Sequence, residues 1–404
     1  MTGVQTCALP ICTKYVEYED GTFAFIPLEP LGHDITTELT FDKATHTHYT
    51  VCSRCGETRE ECTFDEGVIT KVAEGTTPGT ITYTCSECKG TYDETYYEEE
   101  PVLEVTRIFG NTRYETSYNI ASQMRELNNN ARFDSIIIAS GTNFADALAG
   151  SYLAAKKNAP ILMSDGKNAT AIKTYIKNNV NEGGTVYLLG GTKALSGKVV
   201  DGLTGYTIKR LEGKDRYATN LAILKEAGVT NEEIIVATGK GFADSLSASA
   251  SGKPILLVDK TLSKDQKEFL ASVKTSNYYI IGGTSAVSDK LAKEIAAYGT
   301  VERIGGKTRY QTSVMVAEKF FNTAKTAVVA YGQNYPDGLC GGPLAYTMNA
   351  PLILTENGKE ADAKSFLQAR GIVSGAVLGG SKLVSDKTTK NIFSLDADQE
   401  IVTK

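Results

Sequence analysis

Histidine is nearly absent: the 404 residues hold three, His33, His46 and His48, and none lies beyond residue 48. A Ser-His-Asp triad in the C-terminal three quarters is thereby excluded, because no imidazole is available there to take the serine proton. Basic excess is lacking too. With 42 Lys and Arg against 48 Asp and Glu, the formal net charge is -6. No long-range field draws nucleic acid or an anionic membrane, so an anionic ligand has to be caught by local geometry. No run approaches the roughly 20 apolar residues of a membrane span, and the N-terminus lacks the basic, apolar, small-residue order of a secretion signal. A complete Walker loop, HExxH and GxGxxG are missing as well. A hydrophobic fraction of 41% and a charged fraction of 22% nevertheless belong to a folded globular chain.

What the chain does have is one pattern in triplicate: RIFGNTRYETS from Arg107, RLEGKDRYATN from Arg210 and RIGGKTRYQTS from Arg303. Each copy continues with an apolar strand into a loop and helix start, SIIIASGTNFADALAG, EIIVATGKGFADSLSA and AVVAYGQNYPDGLCGG, with equivalent acids at Asp146, Asp244 and Asp337. A second strand follows a proline in Pro160-Ile161-Leu162-Met163, Pro254-Ile255-Leu256-Leu257 and Pro351-Leu352-Ile353-Leu354. A third ends on paired glycines in VYLLGGTKALS, YYIIGGTSAVS and AVLGGSKLVS. Strands and helices alternating at this density predict βαβ units, a mainly parallel sheet and helices on both faces. The copies are placed at residues 107–209, 210–302 and 303–404, each long enough for its own core.

These motifs together resemble the type 2 cell-wall-binding repeat, and all three copies match. The resemblance implies three tandem Rossmann-like α/β repeats in a pseudo-threefold arrangement. It further implies a noncatalytic anchor, held noncovalently to anionic secondary polymers of a Gram-positive cell wall, teichoic-acid-like or secondary polysaccharide. Location at the extracellular cell surface follows, with S-layer or other surface proteins as neighbours. The alternative is the wall-targeting half of a peptidoglycan hydrolase, such as an amidase, whose catalytic domain lay upstream. Carried over residue by residue, polymer binding falls on the three Pro-led strands named above, with Arg113, Arg216 and Arg309 as the charges. Read from chemistry alone, those arginines either grip an anion with planar guanidinium forks or pair with Asp146, Asp244 and Asp337 to lock the repeats. Copy three departs most, with Tyr335-Pro336-Asp337 for Phe-Ala-Asp and Cys340 where the others have Ala149 and Ser247.

The N-terminal quarter has another texture. Residues 1–12 look like the translation of a short-read sequencing adapter, which removes Cys7 and Cys12 from the count and implies that the true start and any signal peptide were lost. Residues 13–97 form a small β-rich module and 98–106 a linker, where Glu98 to Glu100 precede Pro101. Cys52-Ser-Arg-Cys55 and Cys85-Ser-Glu-Cys88 are CxxC knuckles whose spacing suits four thiolates on one structural zinc; disulfides and free thiols are the alternatives. His33, His46, His48 and Cys62 lie close enough in sequence to substitute. Residues 31–97 resemble zinc-ribbon-like repeats of surface proteins from anaerobic Gram-positive bacteria, in which a histidine usually stands where Cys62 does.

Overall fold

The computed structural model describes residues 13–17, 23–27, 38–53, 56–73, 77–96, 104–144, 146–275 and 277–404. The chain divides into two units, residues 1–102 and 103–404.

Every described element of the first unit is a β-strand, as its Thr- and Tyr-rich alternation predicts. Thr13–Glu17 pairs antiparallel with Phe23–Pro27. Thr40–Asp42, Thr47–Cys52 and Gly56–Glu61 form one antiparallel sheet, and Val68–Lys71, Gly79–Thr84 and Thr91–Tyr96 another.

The second unit contains three parallel sheets of one design. In the first, the order is Ile161–Ser164, Phe133–Ser140, Val180–Leu189, Thr207–Leu211. The second runs Ile255–Val258, Ile234–Thr238, Asn277–Ile281, Thr300–Ile304. In the third, Leu352–Thr355, Ala327–Tyr331 and Gly375–Leu378 are followed by Val105–Ile108 and the short Val402–Thr403. Strand order therefore reverses beside the first strand of each repeat, where a doubly wound sheet opens a crevice at its C-terminal edge. Central strands such as Ile136–Ile138, Ile234–Ala237 and Ala327–Ala330 are buried on both faces, and one apolar core runs through all three repeats.

The sequence period and the sheets are out of phase by one strand. Thr207–Leu211, which opens the second copy of the pattern, completes the first sheet; Thr300–Ile304 completes the second, and Val105–Ile108 closes the ring onto the third. Val105 and Thr106, expected in the linker, are thus a sheet strand. Arg210, Arg303 and Arg107 occupy the same register position, opposite Leu188, Ile280 and Val377. The helix, strand, helix, strand order expected within a repeat is seen in full in copies two and three. In copy one the last helix shrinks to a 3-10 turn, Gly197–Val199, in a stretch that carries Gly197 and Gly202.

Candidate functional site: three clefts between repeats

Each residue of the repeated opening has a traceable task. The first arginine pins the preceding sheet: Arg107, Arg210 and Arg303 donate from Nη1 to the carbonyls of Gly379, Gly190 and Gly282 at 2.9, 2.7 and 3.0 Å. Thr112 and Thr308 cap the next helix by accepting from the backbone N–H of Glu115 and Gln311, and Asp215 does so from Tyr217 and Ala218. The threonine two places beyond the tyrosine, Thr116, Thr219 or Thr312, accepts from the backbone N–H of Gly110, Gly213 or Gly306 at 3.0 to 3.1 Å. A Cβ on those glycines would stand 2.3 to 2.5 Å from the helix start, so no larger residue fits. The next position holds the Pro-led strand. Ser117 and Ser313 accept from the N–H of Met163 and Leu354 at 3.1 Å. Asn220 does the same for Leu257 and also donates to the Ile255 carbonyl. One backbone N–H on the open edge of each sheet, and in the second also one carbonyl, is thereby satisfied.

The second arginine joins neighbours. Arg113, Arg216 and Arg309 donate to the carbonyls of Gly141, Gly239 and Gly332 within their own repeats, at 2.7, 2.5 and 2.7 Å. Their guanidinium groups lie over the rings of Tyr335, Phe144 and Phe242 of the preceding repeat, at 5.9, 5.8 and 5.4 Å. Those three rings meet one another at centroid separations of 5.6 to 6.0 Å, the point on which the pseudo-threefold arrangement closes. Copy three differs with a purpose, because the Tyr335 hydroxyl also donates to the Gly141 carbonyl at 3.2 Å.

Between repeats lie three equivalent clefts of about 410, 430 and 530 Å³. Each is bounded by the arginine turn of one repeat and by the acid and paired glycines of the repeat before it. Asp146, Asp244 and Asp337 press against Gly190, Gly282 and Gly379, whose φ angles of 92°, 103° and 89° already favour glycine, and a Cβ there would stand 2.4 to 2.5 Å from a carboxylate oxygen. Burial pushes Asp244 and Asp337 up to about 6, against the opposing pull of Arg309 and Arg113 respectively. Burial also raises Asp146, while Thr219 and Arg216 pull it back. The expected arginine–aspartate pairs do face each other, across repeats rather than within them; no ion pair within 4.0 Å joins them among the described residues.

Exposed lysines stand on the rims: Lys193 and Lys214 in the first cleft, where Glu212 and Asp215 are exposed beside them, Lys307 and the Asp259-paired Lys240 in the second, and Lys382 in the third. Sequence reasoning passed over them, although Lys214 and Lys307 sit inside the repeated opening and Lys193 and Lys382 inside the glycine turn. The Pro-led strands need the opposite correction. Pro160, Pro254 and Pro351 are buried. Ile161, Leu162, Ile255, Leu256, Leu257, Leu352, Ile353 and Leu354 are at most 1% exposed. Their side chains are core and offer no surface to a polymer.

The described residues hold three of the four cysteines expected at a zinc ion, Cys52, Cys85 and Cys88. Cys55 lies outside the described residues, as does His33, and Cys52 ends the strand Thr47–Cys52, four residues and therefore about 13 Å from His48. The group that does converge is His48, Cys62, Cys85 and Cys88. Cys340 is buried in the core of the third repeat, which drives its thiol pKa well upward.

The sequence profile of cell wall binding domain 2 matches residues 107–200, 210–292 and 303–389. The chain is 28% identical over 298 residues to N-acetylmuramoyl-L-alanine amidase LytC of Bacillus subtilis (strain 168), covering 71% of this chain and 58% of that one. It is 30% identical over 294 residues to the Amidase enhancer of the same organism, covering 71% of this chain and 40% of that one. It therefore spans little more than half the length of one relative and less than half of the other. Among solved structures, Cwp8 from Clostridium difficile shares the fold with a TM-score of 0.66 at 19% identity, over 95% of this chain and 79% of that one. Cwp6 from the same organism does so with a TM-score of 0.64 at 20% identity, over 87% and 61%. The chain belongs to the cell wall binding domain 2 family, of which it carries three tandem copies, and it is a wall-binding protein of the cell surface.

Proposed function

We propose that the three clefts hold an anionic cell-wall polymer, anchoring noncovalently whatever protein the repeats belong to. The observation that carries this reading is the recurrence, at all three repeat junctions, of a half-buried arginine with at least one exposed lysine beside an open crevice. Planar guanidinium and flexible ammonium groups suit phosphate or carboxylate, and the loop backbone between Gly110 and Arg113, or its counterparts, forms the floor. A single such cleft is shallow and solvated and binds weakly. Three on one rigid body, engaged by one chain-like ligand, multiply weak contacts through effective concentration.

Catalysis is not needed for this role. The similarity to an amidase and to an amidase enhancer falls on the repeat region and favours a second reading, in which the same anchor delivers a hydrolase to its wall substrate. The anchor itself is tested by replacing Lys193, Lys214, Lys240, Lys307 and Lys382 together with Gln. These side chains are exposed, so the fold is expected to persist, and affinity for a purified phosphodiester wall polymer is expected to fall at least about tenfold. A folded variant that binds as tightly as the parent would move the site away from the clefts.

A further inference from the structure

The first unit fully buries almost nothing apolar among its described residues; in its ring cluster Phe41, Phe64, Tyr83 and Tyr92 are half-buried and His46 is exposed. Among its described residues only Cys52, Ala73 and Cys85 are buried hydrophobics, while Leu39, Val51, Val68, Ile69 and Val72 are 38 to 68% exposed. Two small sheets with so little core do not ordinarily hold together without a covalent or metal staple. The buried polar contacts at their junction supply the candidate.

His48 is 2% exposed, on the strand Thr47–Cys52 of one sheet; Cys62 follows the next strand, Gly56–Glu61. Cys85 and Cys88 form the turn after Gly79–Thr84 of the other sheet. Cys62 Sγ stands 3.4 Å from His48 Nδ1 and 3.8 Å from Cys88 Sγ, and Cys85 Sγ stands 3.8 Å from His48 Nδ1. All four ligand atoms lie within 4.8 Å of one another. A tetrahedron around zinc, with Zn–S about 2.3 Å and Zn–N about 2.0 Å, has edges of about 3.8 Å between sulfurs and about 3.5 Å between sulfur and nitrogen. The Cys62–His48 and Cys62–Cys88 separations match those edges and the Cys85–His48 one is about 0.3 Å longer, whereas a disulfide requires its sulfurs at about 2.0 Å. The far side of the ring fits as well. His48 Nε2 is buried, and the nearest groups it can address are Glu87 Oε2 at 3.2 Å and Glu60 Oε2 at 3.8 Å. Nε2 makes no hydrogen bond to either carboxylate, so the negative charge of Glu87 and Glu60 acts on the ring through proximity alone, raising its basicity toward a cation at Nδ1.

We propose that His48 Nδ1 and the thiolates of Cys62, Cys85 and Cys88 bind one zinc ion that staples the two three-stranded sheets of the N-terminal unit. The site is closed by four protein ligands and leaves no position for substrate, so its role is structural. It replaces the four-cysteine set expected from the CxxC spacing, with Cys62 taking the place of a ligand that the knuckle pattern alone does not reveal. The reason is geometric. Cys52 ends its strand at the far end from His48, and Cys85 and Cys88 meet the near end, where His48 and Cys62 sit.

The test is zinc K-edge X-ray absorption on the full chain prepared under reducing conditions with zinc and then dialysed. A first shell of three sulfurs at about 2.3 Å and one nitrogen at about 2.0 Å is expected. A four-sulfur shell, or no zinc retained, overturns the assignment. In parallel, Cys62→Ser and His48→Gln are each expected to retain one equivalent less than the parent chain, while Cys340→Ser retains as much as the parent. Retention of the full parental zinc by both ligand variants also overturns it. Should those two variants fail to fold, the absorption shell of the unsubstituted chain decides alone.

Discussion

At the scale of single residues, the repeated opening is a fastening device before it is a binding motif. Gly190 shows how sharply it is specified: its φ of 92° favours glycine and a Cβ would collide with Asp146. Gly190→Ala is expected to cost about 2 kcal/mol in urea unfolding, whereas Gly283→Ala, with nothing within 4 Å of its Cβ, is expected to change stability by less than about 0.5 kcal/mol. Equal effects at the two positions would remove the steric account. Asn220 offers a second case, since its amide serves both the Ile255 carbonyl and the Leu257 N–H in the buried edge strand. Asn220→Ala is expected to lose about 2 to 4 kcal/mol by orphaning both groups. The presence of these residues was legible in the sequence, because a threefold recurrence marks them. Their tasks were not, because most of the partners lie in a loop or strand remote in sequence, as Met163 does from Ser117.

At the scale of elements, the strands were readable from apolar runs and the helices from their caps, but which strand serves which sheet was not. Periodicity reports an element and its buried face; it carries no information on neighbours. The resemblance, rather than periodicity, placed the polymer site on Pro160–Met163 and its counterparts, whose side chains are buried in the core. The clefts that remain carry a titrating element. Asp244 and Asp337 have pKa values raised from 3.8 to about 6 by burial. In the unfolded chain they keep ordinary values, so the folded state binds their protons more tightly. Stability is then greatest below pH 4 on their account and declines as pH rises from about 4 to about 6, by at most about 1.4 kcal/mol per pH unit for each carboxyl. The same protonation removes a negative charge beside Arg309, Lys240 and Lys307 in one cleft and beside Arg113 and Lys382 in another. Binding of a phosphodiester polymer, which stays ionised throughout, is expected to tighten between pH 7.5 and 5; titration calorimetry showing no change, or weakening, would separate these acids from the site.

At the scale of the whole molecule, the closing strand Val105–Ile108 makes the three repeats one cyclic body, although it stands at the start of the first copy and pairs with the last. A chain beginning at residue 104 is expected to keep the third sheet protected in hydrogen exchange, and one beginning at residue 109 to lose protection in Gly375–Leu378 first. Sequence reasoning gave the number of repeats, their α/β class and their threefold relation, because those follow from pattern and resemblance. It did not give the one-strand offset, which only the pairing reveals. The central claim, that this cyclic body is an anchor for anionic wall polymer, is tested most directly by co-sedimentation of the purified full chain with cell-wall sacculi before and after acid removal of their secondary polymers. The chain is expected to pellet with untreated sacculi, to be released by high salt, and to remain in solution with the stripped ones. Equal sedimentation with stripped sacculi, or none with either preparation, would contradict it.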